Sequence, residues 1–209
     1  MKSPRHVCAL LAICFTLPSV ALLAAPAEHL GSAPVFLGLD PVRKELQLTK
    51  SQCSSLDQIR ADFKSDARLI TGRFPASPVE QRAANSTVKA LVSKYNQKAI
   101  AVLTPAQLER LLQIERQMLG GLMLFLPAEQ KQLGLGKEQV AALGKIRTEG
   151  EGYANRVTAS FENGDVTRFE RLETLRDYRV KQAAKCLRVL TPVQRKAFQS
   201  LQGKDFKTA

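Results

Sequence analysis

The sequence predicts an all-α protein built from two tandem copies of a long helical hairpin with short flanking helices. Three observations support this: an ungapped internal repeat, apolar residues that recur every three or four positions, and one helix-start motif that occurs four times. No run of alternating β-branched residues indicates a strand.

Residues 1–27 have the layout of a secretory signal peptide. Two basic residues precede an apolar run over positions 7–25, and Ala25-Pro26-Ala27 offers small residues for cleavage. Cleavage after Ala27 is favoured, because a cut after Ala25 would place a proline directly behind the scissile bond. An uncleaved membrane anchor is the alternative, but Pro18 interrupts the apolar run and leaves it short for a span. We therefore expect an exported protein, periplasmic or its equivalent.

The chain that remains after cleavage is strongly basic. Without Lys2 and Arg5, 29 of the 31 Lys and Arg residues remain against 19 Asp and Glu, a net charge of +10. This excess favours acidic proteins or an anionic envelope surface as partners, although a merely solvated basic surface is the alternative, since the charges are scattered. Nucleic acid is not expected, because the chain is exported and its aromatic residues lie mostly at core-like helical positions. These residues are Phe63, Tyr95, Phe161, Phe169 and Tyr178.

The internal repeat has a constant offset of 87 residues. Leu103-Thr104-Pro105-Ala106-Gln107 falls on Leu190-Thr191-Pro192-Val193-Gln194, and the same offset matches residues near the other end of each copy. One ungapped offset that serves both ends indicates a duplication. The predicted divisions are a short linker at 28–35, the two copies at 36–121 and 122–203, and a C-terminal tail at 204–209.

Each copy reads as two long helices that form a hairpin. In the first copy, one apolar stripe extends from Leu56 to Ile70 and a second from Val88 to Val102, both in steps of three and four residues. A segment with glycine and two prolines, residues 72–78, separates the stripes, and its counterpart in the second copy is Glu162-Asn163-Gly164-Asp165.

The helix-start motif is a capping box with a leucine before it. In its clearest form the Thr104 hydroxyl caps the amide of Gln107, and the Gln107 side chain accepts from the amide of Thr104. Pro105 then occupies the first helical position, where its missing N–H costs nothing. In one of the four motifs Gly136 replaces the threonine. The motif residues are Leu48, Thr49, Gln52, Leu103, Thr104, Gln107, Leu135, Gln139, Leu190, Thr191 and Gln194.

Residues that could carry catalysis or bind a metal are sparse. The only histidines are His6 and His29, outside the predicted helical copies, so a histidine-based metal site or general base is not expected. Paired carboxylates on helices dense in Lys and Arg are typical of surface ion pairs. We predict no catalytic residue, no cofactor and no metal. Cys53 and Cys186 are a candidate disulfide in an oxidising compartment, and the sequence leaves open whether they approach each other.

Paired Leu-Thr-x-x-Gln boxes at the ends of a helical hairpin, behind a signal peptide, resemble the LTxxQ family of periplasmic stress proteins, which includes CpxP and Spy. The boxes at Leu48 and Leu103 carry the resemblance in copy one, and those at Leu135 and Leu190 carry it in copy two. The resemblance implies a curved, non-enzymatic, all-α protein. The chain departs from the family in fusing two units, in lacking histidine ligands and in having Gly136.

The function expected from this resemblance and from the charge is that of an ATP-independent, chaperone-like or envelope-stress binding protein for unfolded or acidic proteins. The alternatives are a regulatory partner that docks on a membrane sensor, and a basic structural protein that binds anionic envelope surfaces. The resemblance also implies relatives with one hairpin unit per chain that dimerise, so the two fused units here could pack as an intramolecular pseudo-dimer. The chain would then act as a monomeric pseudo-dimer or as a homodimer. The candidate basic face consists of lysines that recur at the 87-residue offset: Lys94, Lys98, Lys181 and Lys185.

Overall fold

The computed structural model describes residues 33–71 and 78–207. Within the helices, the side chains of residues 70–71 and 78–85 are not part of this description. The predicted signal peptide, its cleavage site after Ala27 and the first hairpin turn at 72–77 lie outside the described residues. Statements about the structure below refer to the described part of the chain.

The predicted all-α class is confirmed, since the described ranges contain helices and no strand. The first half contains α1 (Ala33–Phe36), α2 (Asp40–Glu45), α3 (Lys50–Thr71), α4 (Pro78–Ala101) and α5 (Pro105–Leu119). A 3₁₀ helix, Gly120–Phe125, follows directly. The second half contains α6 (Pro127–Gln132), α7 (Lys137–Glu162), α8 (Arg168–Arg188) and α9 (Pro192–Leu201). In residues 33–71 and 78–207, no helix is long and apolar enough to span a membrane.

Helix bounds in the two halves follow the offset seen in the sequence. The first residues of α2, α3 and α5 each lie 87 positions before those of α6, α7 and α9, and α4 ends 87 positions before α8. The second hairpin turn falls where it was expected, with α7 ending at Glu162 and Gly164 taking a left-handed φ of 82°. These bounds support the tandem-hairpin interpretation, which itself stays a prediction.

The predicted linker at 28–35 overlaps a helical element. Ala33 begins α1, is fully buried and belongs to the same apolar cluster as Phe36. This short helix packs mainly against α4 and α3. No local sequence signal marks it, because four residues make no periodic stripe and only tertiary burial stabilises them.

Two apolar clusters form the interior, one in each half. The first contains Leu37, Leu56 and Ile114, and the second contains Leu124 and Phe198. All five side chains are nearly inaccessible to solvent. Leu119, at the end of α5, packs against both clusters, so the two interiors meet at this helix.

Helix α5 also holds the second half through polar contacts. Arg116 and Glu129 form an ion pair of 2.7 Å, and their side chains are only 7% and 4% exposed. Arg116 Nη1 also donates to the carbonyl of Leu201 at the end of α9. A buried pair of this kind destabilises a fold strongly when one partner is removed, because the other charge is left uncompensated.

The predicted C-terminal tail is docked on α5. The Gln117 side chain donates to the carbonyls of Gln202 and Lys204, and it accepts from the backbone amide of Phe206. The Phe206 ring packs against the first apolar cluster. The tail therefore connects the end of the second half to the interior of the first.

Close helix packing in the second half depends on two glycines. A Cβ at Gly121 would lie 2.1 Å from the backbone oxygen of Ala183 in α8, and a Cβ at Gly150 would lie 2.0 Å from Nε2 of Gln182. Gln182 is buried at this contact and donates to the carbonyl of Ile146. Glycine is required at Gly121, because a larger residue there would push the α8 backbone away, whereas at Gly150 it leaves room for the Gln182 amide.

We predict opposite effects for two glycine-to-alanine changes. Gly121→Ala should lower the free energy of unfolding by roughly 1–3 kcal/mol, because the new methyl group meets rigid backbone. Gly144→Ala is the control: this α7 position has open space around it, so the change should raise stability by about 0.5–1 kcal/mol. Denaturant unfolding of both variants tests this. Equal effects of the two changes would contradict the packing described here.

Candidate functional site

The first pair of capping motifs forms a hydrogen-bonded junction at the base of the first hairpin. Gln52 Oε1 accepts from the backbone amide of Thr49, and Gln107 Oε1 accepts from that of Thr104, both at 3.0 Å. Each threonine hydroxyl in turn accepts from the backbone amide of its glutamine. The starts of α3 and α5 therefore both carry complete capping boxes.

These two boxes bind each other through the glutamine amides. Gln52 Nε2 donates to Gln107 Oε1 at 2.8 Å, and Gln107 Nε2 donates to Gln52 Oε1 at 3.2 Å. The same two nitrogens also donate to the carbonyls of Val102 and Leu46, which follow α4 and α2. Four helix ends are thus joined at one place. We call this the first glutamine junction.

A second glutamine junction has the same arrangement at the base of the second hairpin. Gln139 Nε2 donates to Gln194 Oε1 at 2.7 Å and to the carbonyl of Val189. Gln194 Nε2 donates back to Gln139 Oε1 at 3.2 Å and to the carbonyl of Leu133. The four glutamines are half-buried.

Gly136 makes the third box incomplete. Its backbone amide donates to Gln139 Oε1 at 3.1 Å, as in the other boxes, but there is no hydroxyl to cap the amide of Gln139. The second junction forms nevertheless, because the two capping boxes contact each other through their glutamines and not through the residue at the cap position.

The cross-pairing explains why the third position after the cap is glutamine. A glutamate could accept from its own cap, but it has no N–H to donate across the junction. The box that starts α8 is an internal comparison: there Glu170 accepts from the amide and hydroxyl of Thr167, and its pKa is lowered by these two hydrogen bonds. Sequence reasoning found the caps but missed the cross-pairs. The use of Gln at all four sites was the available signal.

The four candidate lysines are exposed on the outer surfaces of α4 and α8, and three have contacts within the chain. Lys94 lies 3.7 Å from Asp66, Lys98 lies over the Tyr95 ring, and Lys185 pairs with Glu149 at 3.2 Å. Lys181 is also exposed. The lysines are therefore solvated residues, three of them with local partners, on the helix pairs α3–α4 and α7–α8, which we call the two arms. The structure does not gather them into one cleft.

Tyr95 is the centre of a polar and aromatic cluster between α3 and α4. Its ring is buried, meets Phe63 edge to face at 5.5 Å, and its hydroxyl donates to Asp66 at 2.8 Å. The hydrogen bond to Asp66, together with burial, raises the pKa of Tyr95 to about 12. The equivalent place in the second half holds Gly150 and Gln182, so the two hairpins are closed by different chemistry.

Cys53 and Cys186, the candidate disulfide pair, are free thiols in the structure. Cys53 is half-buried in α3, in the first half. Cys186 is fully buried in the second apolar cluster, and this burial raises the pKa of its thiol to about 12. A buried neutral thiol of this kind is unreactive.

Large exposed apolar side chains mark the outer parts of the two arms. Leu69 in α3 is 73% exposed, and Phe169 in α8 is 67% exposed. Each lies 19 residues from the junction end of its helix, about 28 Å along the helix axis. Phe169 had been assigned to packing from its sequence position. That assignment was wrong, because Phe169 lies on a different face of α8 from the buried residues Leu175, Gln182 and Cys186.

A shallow groove lies on the outside of α7, where Gly144, Thr148 and Gly152 follow one another at four-residue steps. Tyr153 and Tyr178 stack beside it, with ring centres 4.0 Å apart. Charged side chains also line the groove, namely Lys145, Glu149 and Arg156. Within the described residues, no group of three or more His, Cys, Asp or Glu is placed to hold a metal.

No protein-family model, curated protein or solved structure matches the chain. The resemblance to the LTxxQ family therefore depends on the motif residues themselves. Those residues form the two glutamine junctions, which act structurally at the hairpin bases.

We predict that Gln52→Glu destabilises the fold by about 1–3 kcal/mol at neutral pH, because the carbonyl of Val102 and Gln107 Oε1 both lose their donor. Acid should reduce this difference, since the protonated carboxyl regains an O–H to donate. Thermal unfolding between neutral pH and pH of about 4 measures both effects. Gln199→Glu, at an exposed position of α9, is the control. Equal stability of the two variants would mean that the amide pair does not hold the hairpin.

We also predict a pH effect that depends on Tyr95. Its folded-state pKa is raised from 10.0 to about 12, so its contribution to stability is complete below pH 10 and is lost as the pH rises toward 12. The wild-type protein should therefore lose more stability across this interval than Tyr95→Phe. Denaturant unfolding of both proteins, with tyrosinate absorbance recorded in parallel, measures the difference. The same pH dependence in both would contradict the Tyr95–Asp66 contact.

Proposed function

We propose that the chain is a non-enzymatic, exported binding protein that acts as an ATP-independent, chaperone-like protein of the LTxxQ type. The observation that carries this proposal is the exposure of Leu69 and Phe169 on the outer parts of the two arms. Exposed apolar side chains at the ends of both arms gain free energy when another protein covers them.

The distribution of charge supports the same surfaces. In residues 50–101 and 137–188, which form the arms, Lys and Arg outnumber Asp and Glu by 20 to 12. In residues 33–49, 102–136 and 189–207, which contribute to the bases, the excess is smaller, at nine basic residues to six acidic ones. A positive arm raises the rate of encounter with an acidic client by long-range attraction, and the apolar side chains then hold the client through short-range contact.

The glutamine junctions contribute rigidity to this arrangement. Each junction joins four helix ends at the base of a hairpin, and the buried Arg116–Glu129 pair connects the halves. The arms therefore project from a fixed base. Binding on such arms needs no nucleotide, because the client is released by simple dissociation of a weak complex.

The decisive test uses the mature chain from Glu28 and light scattering of an aggregating client protein. Wild-type protein should suppress aggregation, and suppression should weaken as salt screens the charges. Leu69→Ser combined with Phe169→Ser should abolish most of the suppression. Val193→Ser is the matched control, since this valine is 79% exposed on α9 at the base and should leave suppression unchanged.

Two outcomes would reject the chaperone-like proposal. The first is no suppression by the wild-type chain at a several-fold molar excess over the client. The second is equal suppression by the arm variant and by the wild type. A pull-down from envelope extract would follow, in which a single stoichiometric partner supports the regulatory alternative. Salt-sensitive sedimentation with anionic liposomes would support the structural alternative instead.

A further inference from the structure

The outward face of α8 carries four exposed side chains in one row. Phe169, Glu173, Arg176 and Val180 follow at steps of four, three and four residues, so they lie within about 60° of one another around the helix. Phe169 and Val180 are 67% and 62% exposed, and the Arg176 side chain is 45% exposed. The main contacts of α8 are with α7 and the 3₁₀ helix, on its opposite side.

The order of these side chains is apolar, acidic, basic, apolar, and it is symmetric about one point. Phe169 and Val180 are equally distant from the point between Thr174 and Leu175, and so are Glu173 and Arg176. An antiparallel copy of the helix, centred on this point, would place each apolar residue against the other apolar residue and each charge against its opposite. A surface with this property is complementary to itself.

We propose that two copies of the chain associate through this face, with α8 of one copy antiparallel to α8 of the other. In this arrangement Phe169 covers Val180 of the partner copy, and Glu173 pairs with Arg176 of the partner copy. The two-fold axis makes each contact twice, as in any isologous interface. The inference concerns self-association and does not depend on the proposed function.

Three features limit the strength of this association. Arg176 already has a contact with Asp177 at 3.7 Å, although such a long, exposed pair between sequence neighbours is easily exchanged. Asp177 itself lies on the flank of the row and would approach Glu173 of the partner copy. A single helix pair also buries less surface than the roughly 800 Å² per partner of stable complexes. The dimer is therefore concentration-dependent and exchanges with monomer.

This pairing has a consequence for the arms. Phe169 is covered in the dimer, whereas Leu69 on the other arm is not part of the contact. Dilution would therefore uncover Phe169. A client that binds at Phe169 would compete with self-association.

The test is sedimentation equilibrium of the mature chain over a range of concentrations, in the presence of a thiol reductant because Cys53 is free. Wild-type protein should show reversible monomer–dimer exchange. Glu173→Arg and Arg176→Glu should each weaken it by about tenfold or more, because each puts like charges in contact. Circular dichroism shows whether both variants remain helical.

An equimolar mixture of the two variants gives the most specific result. Neither variant pairs with itself, but a mixed pair has opposite charges at both contacts, so association should return. A mixture of Glu138→Arg and Lys196→Glu, at exposed positions on α7 and α9, is the control and should behave as wild type does.

Three results would overturn the proposal: a wild-type chain that stays monomeric throughout, single variants that associate as wild type does, or folded single variants whose mixture stays monomeric. All three are measured by sedimentation and do not depend on whether the chain suppresses the aggregation of a client. Failure of the light-scattering test would leave the proposed dimer unaffected, and failure of the dimer would leave the chaperone-like proposal unaffected.

Discussion

The paired side-chain amides of Gln52 and Gln107, repeated in Gln139 and Gln194, are the interaction on which the hairpins depend. Helix ends leave amides and carbonyls without partners, and each hairpin brings several such ends together at its base. The Gln52 side chain shows how these groups are satisfied. Its oxygen accepts from the backbone amide of Thr49 at the start of its own helix. Its nitrogen donates to Gln107 across the junction and to the carbonyl of Val102, which follows α4. No other uncharged side chain of this length is both donor and acceptor in one plane.

The two halves share this base but differ along their arms. The first closes its hairpin with Phe63 and Tyr95, whereas the second uses the smallest residue, Gly150, against a buried amide, Gln182. Both arrangements leave little empty space between the two helices. The first fills it with two aromatic rings, and the second brings the helices close together and adds a hydrogen bond from Gln182 to a backbone carbonyl. At the base, the paired glutamines are the same in both halves and make the same hydrogen bonds. The arms differ more, which is consistent with their carrying the exposed side chains that would contact other molecules.

Helix α5 has a second role, because it belongs to the first half and yet binds the second. Its buried Arg116 reaches Glu129 and the end of α9, and its Gln117 holds the C-terminal residues. A charge pair this deeply buried contributes less to net stability than to the choice of one arrangement, since any alternative would leave a charge unpaired. The positions of the two halves relative to each other therefore depend on these polar groups of α5 together with the apolar contacts of Leu119 and Phe206.

The sequence by itself determined the all-α class, the helix starts at the three threonine caps, and the second hairpin turn, because capping and apolar periodicity are local properties. The tertiary structure alone decided that the four glutamines pair across 55 residues, that Ala33 belongs to the fold, that both thiols are free and that Phe169 is exposed. The physical reason is common to all four. Each depends on which distant surfaces approach, and a helical pattern specifies one face of a helix without specifying what covers it.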